Sequence, residues 1–222
     1  MKLDVLFRDA ELAVVNKPAG LPVEADSPES VLAVSARALA PPGGRAWPRV
    51  VHRLDRDTSG CLVLALTKRA VVELLLAFEQ GKIAKEYLAL VQGEPPEAGE
   101  FDTPYGQDPR DRRRFTTKLE TARRARLSYR VEERLGGAAL LRVKLDTGRT
   151  HQIRVQFGEA GFPVLGDAVY GVPGPISRQA LHAERLCLEL PSQRVDCRAP
   201  VPEDLLAALA ALRQGQVGFR PG

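Results

Sequence analysis

The chain has 222 residues, 44% of them hydrophobic, enough to bury one large core or two small ones. Lys and Arg outnumber Asp and Glu by 32 to 28, a net charge of +4 that leans toward a polyanionic partner without naming one. Three widely spaced cysteines (Cys61, Cys187, Cys197) argue against a disulfide framework and a zinc ribbon, and no apolar run is long enough to serve as a signal core or a membrane span, so a cytoplasmic setting is expected.

In chain order, Leu3 to Phe7 and Leu12 to Asn16 read as a strand pair, and Lys17-Pro18-Ala19-Gly20 breaks the pattern into a loop. Ser30 to Ala40 has helical spacing, ended by Pro41-Pro42-Gly43-Gly44. Cys61 to Leu66 reads as a buried strand. Thr67 then caps a helix with Val71, Leu74, Leu75 and Phe78 on one face, stopped by Gly81. Lys85 to Val91 is a strand containing Tyr87, and Glu94 to Glu100 an exposed loop. Gly136-Gly137 joins Leu127 to Arg134 and Ala139 to Asp146 as a hairpin. Arg149 to Glu159 is helical, Leu181 to Leu190 a strand, and Pro202 to Arg213 an amphipathic helix with Pro202 in its first turn, before a loose tail from Gly215. Strands do not alternate strictly with helices, which favours α+β over a doubly wound parallel sheet.

One segment has an unusual composition. His52-Arg53-Leu54-Asp55-Arg56-Asp57-Thr58-Ser59-Gly60 packs five ionisable residues and a turn signal against the apolar run that starts at Cys61. On the plainer reading it is a solvated turn in which Asp57, Thr58 and Ser59 satisfy local backbone groups. On the functional reading Asp55, flanked by guanidinium groups that favour its ionised form, is aimed into a cleft as a nucleophile or base. A second cluster, Arg110, Arg112, Arg113 and Arg114 with Phe115, followed by Arg123, Arg124 and Arg126, offers phosphate contacts beside an aromatic ring, or else is a charged exposed loop.

The run His52 to Gly60 resembles the signature of the RluA-type RNA pseudouridine synthases. Five further motifs follow the family's order: Asn16-Lys17-Pro18-Ala19-Gly20-Leu21 upstream, then Lys85-Glu86-Tyr87, Thr147-Gly148-Arg149-Thr150-His151-Gln152-Ile153-Arg154, Gly166-Asp167 with Tyr170-Gly171, and Leu181-His182-Ala183. The resemblance implies an α+β fold with a mixed, mainly antiparallel sheet flanked by helices, forming an RNA-binding cleft. The whole chain is then expected to be a single catalytic domain, of one lobe or two, with no separate RNA-binding domain.

The resemblance also implies roles. Asp55 is the catalytic carboxylate, attacking the sugar carbon or removing a neighbouring sugar proton. Tyr87 stacks on the target base, and Arg154 pairs with Asp55. Arg53, beside His52 on the substrate side, fills the gap left by an extruded uridine, and Leu181 contributes an apolar floor. On composition and not on the resemblance, Arg112, Arg113, Arg114 and Phe115 are expected to contact the RNA. The substrate implied is structured ribosomal or transfer RNA, with neither cofactor nor metal required; a monomer is the default expectation.

The sequence departs from the family at Gln156, where His commonly follows Arg-Val, and at Val23-Glu24, where Val-His is frequent. The usual His-Pro is missing around Leu190-Pro191. Two rival classes remain: a non-catalytic RNA-binding module, which would not need Asp55, Tyr87 and Arg154 together, and a metal-dependent hydrolase using His52, His151 and His182 with Asp55, which lacks ligand spacing such as i, i+4.

Overall fold

The structure is a computed structural model and describes residues 3–24, 28–40 and 47–216. In chain order its elements are β1 (Asp4–Arg8), β2 (Leu12–Lys17), α1 (Val31–Ala38), β3 (Arg49–Val50), β4 (Ser59–Ala65), α2 (Lys68–Glu79), β5 (Ile83–Gln92), β6 (Ala98–Gln107), β7 (Phe115–Thr116), β8 (Arg123–Arg134), β9 (Ala138–Leu145), α3 (Gln152–Glu159), β10 (Leu181–Glu189), β11 (Arg194–Arg198) and α4 (Glu203–Arg213). They fall into two compact units, Met1–Lys85 with Ala183–Pro200 and Glu86–His182 with Val201–Gly222. The fold class is α+β, as expected, with a mixed, mostly antiparallel sheet: the β1–β2, β2–β4, β3–β4, β5–β9, β6–β7, β6–β8, β8–β9 and β10–β11 ladders are antiparallel, and an isolated bridge between Leu165 and Val172 is parallel.

In the first unit β4 lies between β2 and β10, and every one of its residues is buried, as the unbroken apolar run from Cys61 requires. Its alternate residues Cys61, Val63 and Ala65 face a core that also holds Leu12 and Val14 of β2, Leu186 and Leu188 of β10, and Ala70, Leu74 and Ala77 of α2. Thr67 caps α2 as expected, its hydroxyl accepting the Ala70 N–H at 3.1 Å. The buried stripe differs from the expected one: Val71 and Phe78 flank it, but Leu75 is 49% exposed. At 100° per residue Leu75 points well away from a stripe centred on residues 70, 74 and 77.

Gly60 opens β4 at a very close approach. Its φ is +116°, and a Cβ at this position would lie 2.2 Å from the carbonyl oxygen of Ala183 in β10. Two motifs far apart in sequence are thus joined by backbone contact.

In the second unit β5, β9, β8 and β6 pair in that order, and β7 adds two residues to the end of β6. Gly136 and Gly137, with φ of +62° and +93°, form the two-residue turn of the expected β8–β9 hairpin, closed by Leu135 N–H to Ala138 O at 2.8 Å. Phe157 of α3 packs on Phe101 and Tyr129, each with ring centroids 5.1 Å away. α4 buries Leu205, Ala208, Leu209 and Leu212, begins after Pro202, and ties to β8 through Arg213 and Glu133 at 2.7 Å.

Several boundaries differ from the expected ones. The loop expected over Glu94 to Glu100 already enters β6 at Ala98, a strand containing two glycines and Pro104 whose pairing with β8 overrides its weak local propensity. α3 starts at Gln152, not Arg149, because His151 adopts a left-handed conformation with φ 58°. The short strands β3, β7 and β11 carry no pattern long enough to read. The expected Pro41-Pro42-Gly43-Gly44 stop lies outside the described residues, as does the tail beyond Gln216; α1 ends at Ala38.

Substituting Gly60→Ala should lower the unfolding free energy by about 2–4 kcal/mol in a urea titration, because the new methyl meets fixed backbone at a φ that strains any other residue.

Candidate active site

Asp55 lies in the loop between β3 and β4, half-buried, in a turn closed by Thr58 N–H to Asp55 O at 3.1 Å. The loop is fastened from three directions. Lys17, the last residue of β2, is paired across the ladder with Gly60 and has no solvent exposure. Its ammonium donates to the carbonyls of Pro18 (2.9 Å), Leu21 (2.8 Å) and Arg56 (2.7 Å). Arg56 returns the contact, its Nε donating to Gly20 O at 2.9 Å. The Asn16–Leu21 motif is therefore a bracket that holds the residue next to Asp55 by its backbone.

His52 supplies the third fastening. Its Nε2 accepts the Val63 N–H of β4 at 3.0 Å, and its ring lies 4.9 Å from that of Phe78. Part of the residue reaches the surface, yet the imidazole is densely surrounded. Burial, helped by the Lys85 charge, lowers its pKa to about 3. Expected on the substrate side, His52 instead has its acceptor nitrogen committed to β4. Arg53 is exposed beside it.

In the second unit Arg154 sits on α3, buried, and its guanidinium meets Asp167 edge-on: Nε to Oδ2 at 2.6 Å and Nη2 to Oδ1 at 2.8 Å. Burial raises the Asp167 pKa, but the hydrogen bonds and charge of Arg154, with the N–H groups of Val169 and Tyr170, more than offset it and leave it below the usual value. Glu159, further along α3, is bound instead to Thr116 and Thr117. Two buried glutamines set the height of α3. Gln152 Nε2 donates to Arg126 O (3.0 Å) and Gln156 Oε1 (3.1 Å), and Gln156 Nε2 donates to Ala125 O (3.0 Å) and Thr103 Oγ1 (2.9 Å). The departure at Gln156 is thus absorbed by packing against β8 and β6.

Tyr87 lies on β5 opposite Val143, 7% exposed, and Leu181 is buried at the start of β10. The arginine cluster forms the turn from β6 to β7, closed by Asp108 N–H to Arg114 O (2.9 Å) and Arg114 N–H to Asp111 O (2.8 Å). Arg113 pairs with Asp111 at 3.0 Å, while Arg110, Arg112 and Arg114 are exposed and make no salt bridge among the described residues. Phe115 is half-buried and stacked on Tyr105 at 5.8 Å. Among the described residues no three His, Cys, Asp or Glu side chains gather as a metal site, and no helix is long and apolar enough to cross a membrane.

A family model described as RNA pseudouridylate synthase matches residues 11–159, which carry both the Asp55 loop and Arg154. The chain belongs to that family. Its members are enzymes that isomerise uridine within RNA to pseudouridine. Relatives include an uncharacterized RNA pseudouridine synthase of Chloroflexus aurantiacus, 43% identical over 89% of this chain and 66% of that protein. Another is ribosomal large subunit pseudouridine synthase D of Xylella fastidiosa, 39% identical over 98% of this chain and 71% of the relative. The chain therefore spans about two thirds of the first relative's length and somewhat more of the second's. The human RNA pseudouridylate synthase domain containing 1 shares the fold, with a TM-score of 0.76 and 27% identity over 90% of this chain and 84% of its own.

Within this pseudouridylate synthase chain, sequence reasoning quoted Lys17, Asp167 and Tyr170 inside motifs without giving them roles. The available signals were a charged residue directly after an apolar strand run for Lys17 and an acid directly after a glycine for Asp167; Tyr170 had none.

Asp167→Asn leaves the buried Arg154 charge without its carboxylate, and a loss of about 3 kcal/mol or more should appear in denaturant unfolding. His52 gives a pH signature. It stays neutral in the fold down to about pH 3 but takes a proton in the unfolded chain below about 6.5, so its contribution is present above 6.5 and withdrawn as pH falls. His52→Gln, which keeps an acceptor for Val63, should lose less stability than the native protein between pH 6.5 and 5. Equal slopes would mean that His52 protonates within the fold.

Proposed function

We propose that this chain converts uridines in structured ribosomal RNA to pseudouridine, acting as a single cytoplasmic catalytic domain and as a monomer, with Asp55 as the catalytic carboxylate. The reaction is a rearrangement. The bond from the sugar carbon to the base nitrogen breaks, the base turns, a ring carbon bonds to the same sugar carbon, and a proton leaves that ring carbon while the nitrogen gains one. Atoms and electrons balance without oxidant, reductant or cofactor.

The observation that carries the reading is the fastening of the Asp55 loop. A carboxylate that acts on a sugar must be held at a fixed distance and angle, and a loop pinned by a buried ammonium, a reciprocal arginine contact and a buried imidazole holds its backbone rigidly. Asp55 acts on the sugar as nucleophile or as base. By the family resemblance Arg154, itself oriented by Asp167, is the partner of the catalytic carboxylate. Tyr87 stacks on the target base and Leu181 floors the pocket. Arg53, exposed beside the loop, occupies the space of the extruded nucleotide, and the arginines of the β6–β7 turn hold phosphates. Relatives named for the large ribosomal subunit favour ribosomal over transfer RNA.

Incubation of the protein with unmodified large-subunit and transfer RNA transcripts, followed by carbodiimide-dependent primer-extension mapping, tests this. New stops are expected in the ribosomal transcript. Asp55→Asn should remove them, with a rate loss on the order of a thousandfold, while RNA affinity changes only a few fold. Full activity of Asp55→Asn would overturn the catalytic assignment, and stops confined to transfer RNA would overturn the substrate.

A further inference from the structure

Tyr170 follows the Gly166-Asp167 turn in the second unit, and its side chain touches two separate parts of the chain, residues 114–115 and 151–154. Its hydroxyl accepts the backbone N–H of Phe115, the first residue of β7, at 3.0 Å. The same oxygen lies 3.1 Å from His151 Nδ1, just before α3. Its ring has the Arg154 guanidinium 5.2 Å from the centroid and the Arg114 guanidinium at 5.1 Å. Asp167, which holds Arg154, also accepts the Tyr170 N–H at 3.1 Å.

These contacts converge on a segment that its own ladder cannot hold. β7 pairs with β6 at only two positions, Gly106 with Thr116 and Gln107 with Phe115, and a two-pair ladder frays readily. It needs outside tethers. Tyr170 is one. The other is Glu159 at the end of α3, which accepts the Thr116 hydroxyl (2.6 Å) and the Thr117 N–H (2.9 Å), together with the Thr117 hydroxyl. His151 is the only non-glycine among the described residues with positive φ. Its side chain makes no cap bond to α3 and is spent on Tyr170 and, edge-on at 5.8 Å, on Phe115. Strained backbone whose side chain serves a neighbouring loop points to a use for the position of that loop.

The loop so placed carries Arg114, exposed and without a salt bridge among the described residues. Stacking on a neutral ring orients a guanidinium without cancelling its charge, so it still attracts an anion.

We infer that Tyr170 is a positioning residue for RNA. It sets Arg114 and the turn at residues 108–114 as a preformed arm that grips a phosphodiester of the substrate strand at a fixed distance from Arg154. This rests on the reading that the chain acts on RNA.

The test compares the native protein with Tyr170→Phe, Arg114→Ala and the double variant, using a transcript that the native protein modifies. Arg114→Ala should weaken RNA binding several-fold and reduce the slope of log Kd against log salt by about one. Tyr170→Phe removes no charge, yet it should reduce that slope in the same direction, raise KM more than it lowers kcat, and add little when combined with Arg114→Ala. A purely structural tyrosine would lower the melting temperature and leave the salt slope unchanged. A native slope in Tyr170→Phe, or additive losses in the double variant, would overturn the inference while leaving the function intact. Failure of the native protein to bind or modify any transcript would overturn both.

Discussion

A buried ammonium shapes the loop that carries Asp55. Lys17 has no contact with solvent, and an ammonium is costly to bury unless its donors are met. Three backbone carbonyls meet them, two from the turn that follows β2 and one from Arg56. Neither turn can move far without leaving the charge unsatisfied. The β2–β4 register makes this possible, because Lys17 is paired with Gly60 and so stands where the loop returns to the sheet. Gly60 in turn must be a glycine for β10 to pass so close.

The second unit solves a similar problem with a buried ion pair. Arg154 is oriented by the two oxygens of Asp167, whose carboxylate is itself held by backbone N–H groups of the following turn. The glutamines at positions 152 and 156 fix the helix beneath it by bonding to carbonyls of β8. Buried polar groups that are fully met favour one arrangement over close alternatives, because every shift breaks several bonds together. For an isomerase this matters directly, since its rate depends on where its charged groups already are before the substrate arrives.

Both fastenings join motifs that lie apart in the chain. Lys17 reaches 39 residues to Arg56, and Arg154 reaches 13 residues to Asp167. Within each unit, the family's scattered motifs are in large part pieces of the same few hydrogen-bonded brackets.

The sequence alone determined the elements whose signals are local. The buried strand from Cys61, the capped helix after Thr67, the Gly136-Gly137 hairpin and the helix after Pro202 all follow from periodicity, capping or turn chemistry within about a dozen residues. The ordered motifs likewise made the family legible, and with it the likeness that singles out Asp55, Tyr87 and Arg154. Only the tertiary structure decided that β6 forms through Pro104, that Leu75 faces outward, that His52 serves β4, that Lys17 holds the Asp55 loop, and that Asp167 and Tyr170 hold Arg154 and the β6–β7 turn. The physical reason is that a hydrogen-bond donor takes its partner from whatever the fold brings within about 3 Å. Neither residue spacing nor composition encodes a partner that the chain meets only after tens of intervening residues have packed.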